Sequence, residues 1–200
     1  MIYRISEDVR EEKVANIDTE CYNHENEKKD ELRRKWCYEK VIEENPEFSL
    51  YMWMYTCSID GQLDYVEFTY EYTEEVATIH ANVNAILSPV EEDWSDVEKA
   101  FYIHDYMTMN YKYDENYSIY HAAGMLLHGT GVCQSYAETY QYLMNLLGIE
   151  CVIATSWEMN HAWNMIKIDG EWYHVDVTWD DPLGAGGCYH DYFLRSDEGI

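Results

Sequence analysis

The stretch Gly129-Thr-Gly-Val-Cys133-Gln-Ser-Tyr-Ala-Glu-Thr-Tyr-Gln-Tyr-Leu-Met-Asn-Leu-Leu147-Gly148 constrains this chain more than any other. Ala137, Tyr140, Met144 and Leu147 recur at helical spacing and Gly148 supplies a stop, so a glycine-containing turn delivers Cys133 to the first turn of a helix. Unpaired N–H groups and the helix dipole favour a thiolate at that end, and the thiolate is the reactive form of cysteine. A lone cysteine is more often a small buried hydrophobe. Its chemical meaning here comes from the residues that follow.

After Gly148 the chain reads Cys151-Val-Ile-Ala-Thr155, then Asn160-His-Ala-Trp-Asn-Met-Ile-Lys-Ile168, Asp169-Gly170 and Glu171-Trp-Tyr-His-Val-Asp-Val-Thr-Trp179. Asp-Gly between two runs rich in β-branched and aromatic residues predicts a hairpin. With a two-residue loop Ile168 pairs with Glu171, which sets His161 opposite Thr178 and Trp163 opposite Asp176. Paired residues share a face, so all four project to one side. His161 and Asp176 become diagonal neighbours about 7–8 Å apart, within reach of a carboxylate for an imidazole. A thiol nucleophile needs such a set: a base to take its proton, and a third group to orient the base.

The blocks Gly129-x-Gly-Val-Cys133-Gln-x-Tyr-Ala, Asn160-His-Ala-Trp-Asn164, Trp172-Tyr-His-Val-Asp176-Val-Thr-Trp-Asp-Asp-Pro182 and Tyr192-Phe-Leu-x-Ser-Asp197 resemble the transglutaminase-like superfamily, specifically its bacterial transglutaminase/protease-like branch. The resemblance covers about residues 95–198. It implies an α+β, papain-like core, with helices packed on an antiparallel sheet, a helix-borne Cys133, and a strand-borne His161 and Asp176. Carried over by position, Cys133 is the nucleophile, His161 the general base and acid, and Asp176 the orienting carboxylate. The branch often carries an aromatic ten residues before the cysteine, where this chain has Ala123. Tyr120 and His121 are the candidates for that wall of the site, and Trp163 is a further substrate-side candidate.

What the resemblance implies chemically is acyl transfer on peptide or amide substrates through a thioester. Water as acceptor makes a peptidase or amidase, the preferred expectation. An amine acceptor makes a transglutaminase, which Trp157 and Trp163 would favour if they walled off water. A binding module that kept the fold and lost turnover is the rival class.

The 13 Lys plus Arg against 39 Asp plus Glu give a formal charge of −26, which repels phosphate backbones. Nucleic acid is therefore not an expected partner, and a peptide or protein substrate is what the resemblance implies. The six cysteines show no C-x-x-C spacing, and Asp180-Asp181-Pro182 opens no twelve-residue calcium loop, so neither a metal nor a cofactor is expected. No run approaches the ~20 apolar residues of a membrane span, and no signal-type start is present, which suggests a cytoplasmic location for a complete chain.

The remaining sequence divides into a region 1–94 of unassigned role and a core over 95–200. Residues 1–23 read as a ragged helix and 24–45 as an exposed amphipathic helix. Two runs flanking Asp60-Gly61 read as a hairpin, and Val76, Ile79, Val83 and Ile86 mark a helix over about 74–87. Ser95-x-x-Glu98 has the form of a capping box, opening a helix whose inner stripe is Val97, Ala100, Phe101, His104 and Met107. His104 reads as a hydrogen-bonded core histidine rather than a ligand, and His174 as a structural hydrogen-bonding residue. His121 and His128 compete with His161 for the base role but lack a carboxylate placed by a ladder. Residues 189–196 read as a last strand.

Overall fold

In the computed structural model the described residues are 2–7, 12–16, 52–59, 62–70, 74–181 and 187–199. They fall into two compact units, Met1–Val76 and Ala77–Ile200. The first holds a four-stranded sheet of order β2-β1-β4-β3, built from β1 (Ile2–Glu7), β2 (Glu12–Asn16), β3 (Met52–Ile59) and β4 (Gln62–Tyr70). The hairpin around Asp60-Gly61 forms as expected, with one register irregularity between Cys57 and Ser58. Residues 2–7 and 12–16 are strands rather than a helix: β1 runs antiparallel to β2 and parallel to β4, so its backbone is paired on both sides. That ladder outweighs a weakly patterned sequence. The helix expected over 24–45 lies outside the described residues.

The second unit packs helices on a three-stranded antiparallel sheet, an α+β arrangement. Helix α1 (Glu74–Leu87) buries Val76, Ile79, Val83 and Ile86 as their spacing requires. Helix α2 (Asp96–Asn110) opens on the expected capping box. The Glu98 backbone N–H donates to Ser95 Oγ, and Glu98 Oε2 accepts from the Ser95 backbone N–H at 2.8 Å. Its inner face is rotated from the expected one. Ala100, Ile103, His104 and Met107 are buried, whereas Val97 and Phe101 are about two-fifths exposed. Phe101 instead stacks on the His190 ring at 4.8 Å, which explains an apolar residue on the outer side.

Strand β5 (Lys112–Tyr113) pairs in parallel with β6 (Thr130–Gly131), and between them runs a loop followed by helix α3 (Ala122–His128). Gly129 closes α3 with φ +70, the left-handed conformation that favours glycine at this position. Helix α4 (Cys133–Leu146) lies against β7 (Cys151–Ser156) and β8 (His161–Ile168), and β9 (Glu171–Val175) completes the sheet. Along β8 the burial alternates. Ala162, Asn164, Ile166 and Ile168 are buried, and Asn164 Nδ2 donates to the Ala137 carbonyl of α4 at 3.0 Å. His161, Trp163 and Met165 face the other way. Fully buried Ile103, Met107, Leu143 and Ile166 each contribute about 1.5–3 kcal/mol of hydrophobic stabilisation.

The hairpin register is the expected one, with Ile168 opposite Glu171 and Met165 opposite His174. Asp169 and Gly170 both have positive φ, +53 and +88, as a tight two-residue turn demands. The ladder stops at Asn164 opposite Val175, short of the expected continuation to Trp179. Asp176 leaves the strand to cap a one-turn helix α5 (Val177–Asp180), its Oδ1 accepting the Trp179 backbone N–H at 3.1 Å. The expected last strand over 189–196 is likewise reduced to a single bridge between His174 and Arg195, flanked by turns.

Candidate active site

Cys133 is the first residue of α4, with Val132 as N-cap. Two contacts fix the approach to it: the Val132 backbone N–H and Ser135 Oγ both donate to the Ile119 carbonyl, each at 3.0 Å. Glycine is required at 131, because a Cβ there would lie 2.1 Å from Ser135 Oγ. The far end of the turn is held by Tyr136, whose buried hydroxyl donates to Asp181 Oδ2 at 2.5 Å and so ties α4 to the segment after β9.

His161 stands at the start of β8, and its Nε2–H donates to Asp176 Oδ2 at 2.5 Å. Both side chains are nearly buried, 7% and 1% exposed. Asp176 therefore divides its carboxylate, one oxygen holding the imidazole and the other the N-terminus of α5. With Nε2 engaged, Nδ1 is the nitrogen left for Cys133. A hydrogen bond from His161 is the largest influence on the Cys133 thiol and holds its pKa below the ordinary value, with the Ala162 and Gln134 backbones adding to the effect against burial. Burial works against a charged imidazole at His161. The hydrogen bonds to Asp176 and Cys133 outweigh it, raising its pKa to about 9.

The imidazole is also stacked. Trp179 lies 4.6 Å away at 7° between planes, and Trp163 6.0 Å away at 12°. Trp163 Nε1–H donates to His174 Nδ1 at 2.8 Å, which leaves the other His174 nitrogen, Nε2, to donate to Asp197 Oδ1 at 3.0 Å. His174 thus has the structural hydrogen bonds anticipated for it.

A cleft opens at the sulfur: Tyr113, Tyr117 and Tyr120 line it together with Thr155, Ser156, Trp157 and Asn160, and Cys133, Gln134 and His161 border the same space. Of the residues singled out in the sequence, Cys133, His161 and Asp176 converge and Tyr120 borders the cleft. Trp163 does not line it, being turned beneath His161 toward His174. Nor does His121, whose exposed ring lies 3.3 Å from Glu138. His128 lines a separate polar concavity around Asp114 that holds no cysteine. Trp157 is 96% exposed, so it does not seal the site from water.

Three contributors escaped sequence reasoning. The hairpin pattern extends a strand through Trp179, whereas the capped helical turn is what folds it onto His161. Tyr113 and Tyr117 stand on the tyrosine-rich stretch 111–120, and that density close ahead of Cys133 was the available signal. Burial is the main cause that raises the Tyr113 phenol pKa, followed by the Cys133 thiol, while a hydrogen bond with the Cys133 backbone opposes the rise. Asp114 organises the loop bearing these tyrosines. Its carboxylate accepts from Ser118 Oγ at 2.7 Å and from the Asn116, Ser118 and Ile119 backbone N–H groups, which lowers its pKa to about 2.

Residues 84–177 match the sequence profile described as the transglutaminase-like superfamily. Kyphoscoliosis peptidase of Mus musculus is 23% identical over 127 residues, covering 53% of this chain and 19% of that protein. Kyphoscoliosis peptidase of Homo sapiens is 28% identical over 65 residues, covering 26% and 10%. The chain thus spans a fifth or less of these curated relatives. Among solved structures, a TGase aligns with TM-score 0.43 and 15% identity over 88% of this chain and 44% of its own. A candidate cysteine protease from Cytophaga hutchinsonii aligns with TM-score 0.41 and 21% identity over 56% and 40%. Among the described residues, no helix is long and apolar enough to cross a membrane.

Proposed function

Since this chain belongs to the transglutaminase-like superfamily, we propose that it is a thiol-dependent acyl-transfer enzyme acting on peptide or amide bonds, and that water is its usual acceptor. The observation that carries this reading is the engagement of one imidazole by two partners, with His161 Nε2 on Asp176 and its remaining nitrogen on the Cys133 side. In this scheme the Cys133 sulfur attacks the amide carbonyl and the electron pair moves onto oxygen. The Cys133 backbone N–H and the Tyr113 hydroxyl hold that oxyanion. His161 gives its proton to the departing amine as the carbon–nitrogen bond breaks, leaving a thioester. Water then attacks the thioester, His161 takes its proton, and the acid product leaves with the sulfur restored.

Trp157 supports hydrolysis over amine transfer, since its exposed indole and the diversion of Trp163 leave the cleft open to solvent. Tyr113, Tyr117 and Tyr120 would contact the substrate chain. The residues named in this scheme all lie within 95–200. The test is incubation of the full chain with casein, with and without a labelled primary amine, beside Cys133→Ser. The reading expects fragments from the wild type alone. Amine incorporation outpacing fragmentation would make it a transglutaminase, and inertness in both assays would make it a binding module.

A further inference from the structure

A second group of chemically competent side chains lies outside the cleft, where the segment after residue 187 returns to α2. His104 and Asp105 come from the middle of that helix, and Cys188 and His190 from the returning segment. Their four ligand atoms, His104 Nδ1, Asp105 Oδ1, Cys188 Sγ and His190 Nε2, all lie within 4.8 Å of one another. Asp105 Oδ1 is 3.2 Å from His104 Nδ1, 3.2 Å from the sulfur and 2.7 Å from His190 Nε2. The sulfur is 3.5 Å from His190 Nε2 and 3.9 Å from His104 Nδ1. Zinc bonds of about 2.0–2.3 Å arranged tetrahedrally imply ligand-to-ligand edges of roughly 3.3–3.8 Å. The three sulfur separations and the Asp105–His104 separation lie close to that range, and the shorter Asp105–His190 separation of 2.7 Å would widen on binding.

We propose that His104, Asp105, Cys188 and His190 form a structural zinc site. Two imidazoles, one thiolate and one carboxylate make a ligand set suited to zinc, and four protein ligands leave no open position of the kind a catalytic metal keeps. The surroundings are those of a metal centre. His104 Nε2, on the far side of its ring, faces the fully buried Asp180 carboxylate at 3.1 Å, the arrangement that fixes the tautomer and orientation of a ligating imidazole. Thr108 Oγ–H donates to the Cys188 sulfur at 2.9 Å, as a ligating thiolate would accept. Phe101 stacks on His190, and Phe193 packs edge-on to His104 at 5.1 Å, shielding one side from water. Without a cation, Asp105 Oδ1 is the common target of three potential donors, while His104 sits between two carboxylates. One divalent ion replaces that crowding with four bonds. Its effect would be to clamp the returning segment to α2 at the base of the turn that begins with Asp176.

The test is a Co2+ titration of the metal-stripped full chain, followed by competition with Zn2+. One equivalent should produce sulfur-to-cobalt absorption with the intense visible bands of a tetrahedral centre, and Zn2+ should abolish both. The spectrum should persist in Cys133→Ser and be lost in Cys188→Ser. In His190→Ala, which removes a part-exposed ring, affinity should fall about tenfold or more while circular dichroism stays native. Absence of one-to-one binding, a spectrum that follows Cys133 instead of Cys188, or unchanged affinity in His190→Ala would each overturn the assignment.

Discussion

The Trp179 indole lies flat on the His161 imidazole, with ring centres 4.6 Å apart and planes 7° apart, because the carboxylate that holds the ring also caps the turn carrying the indole. Such a pair is worth about 0.5–1.5 kcal/mol beyond simple burial. Trp179→Ala should therefore lower kcat/KM for an amide substrate by about two- to tenfold, with Trp179→Phe restoring most of the loss. Steady-state kinetics on the three proteins, with KM and kcat resolved separately, checks this.

Asp176→Asn separates the two roles of that carboxylate. Asparagine caps a helix about as well as aspartate, so thermal stability should change little. A neutral amide neither stabilises the imidazolium nor enforces the tautomer, so activity should fall by about 10²- to 10⁴-fold. Asp176→Ala should lose the activity and about a further 1 kcal/mol of stability. Paired melting curves and rates for both variants decide whether the roles are separable.

The two titrations at the site run in opposite senses. The Cys133 thiol is held below its ordinary value of about 8.5, and the His161 imidazole is raised to about 9. Activity needs the thiolate and the protonated ring together, so it should rise on a limb below pH 8.5 and fall on one near pH 9. Iodoacetamide labelling of Cys133 needs only the thiolate and should not fall on the alkaline side. In His161→Ala the labelling midpoint should move up toward that of a free thiol. Peptide mapping of the labelled chain reads out Cys133 alone. Cys151 should stay unlabelled in the native protein, because burial pushes its thiol pKa well up.

Asp114 gives the tyrosine loop a pH dependence of its own. Its folded pKa of about 2 lies below the unfolded value of about 3.9, so its contribution is complete above pH 3.9 and is lost as pH falls through about 2. The difference in Tm between wild type and Asp114→Asn should accordingly be constant near neutrality, shrink below about pH 4 and vanish only below about pH 2. Differential scanning calorimetry across that range would show it.

Much of the site could be read from the chain because its information is local. The helical spacing after Cys133 and the Asp169-Gly170 turn fix the nucleophile's position and the strand register without reference to anything distant. What escaped reading depends on competition between local and remote partners. Asp176 satisfies a strand pattern and an N-cap equally well in sequence, and the cap prevailed where the ladder ended. Trp163 promised a cleft wall until His174 offered its indole N–H a partner. The cluster at His104 was invisible for a related reason: its four candidate ligands arrive as two dyads from distant segments, with no paired-cysteine spacing to announce them. The strand at 2–7 depends on β4, remote in the chain, and the strand at 12–16 pairs in turn on β1, so neither is announced by local pattern.

Because the sulfur and the imidazole belong to separate elements, the depressed thiol is a property of the assembled tertiary structure. During synthesis, the helix bearing residue 133 emerges from the ribosome before the hairpin that supplies residues 161 and 176. A chain that ends before residue 161 therefore lacks the strongest of the influences that depress the thiol and keeps only what its own helix start supplies.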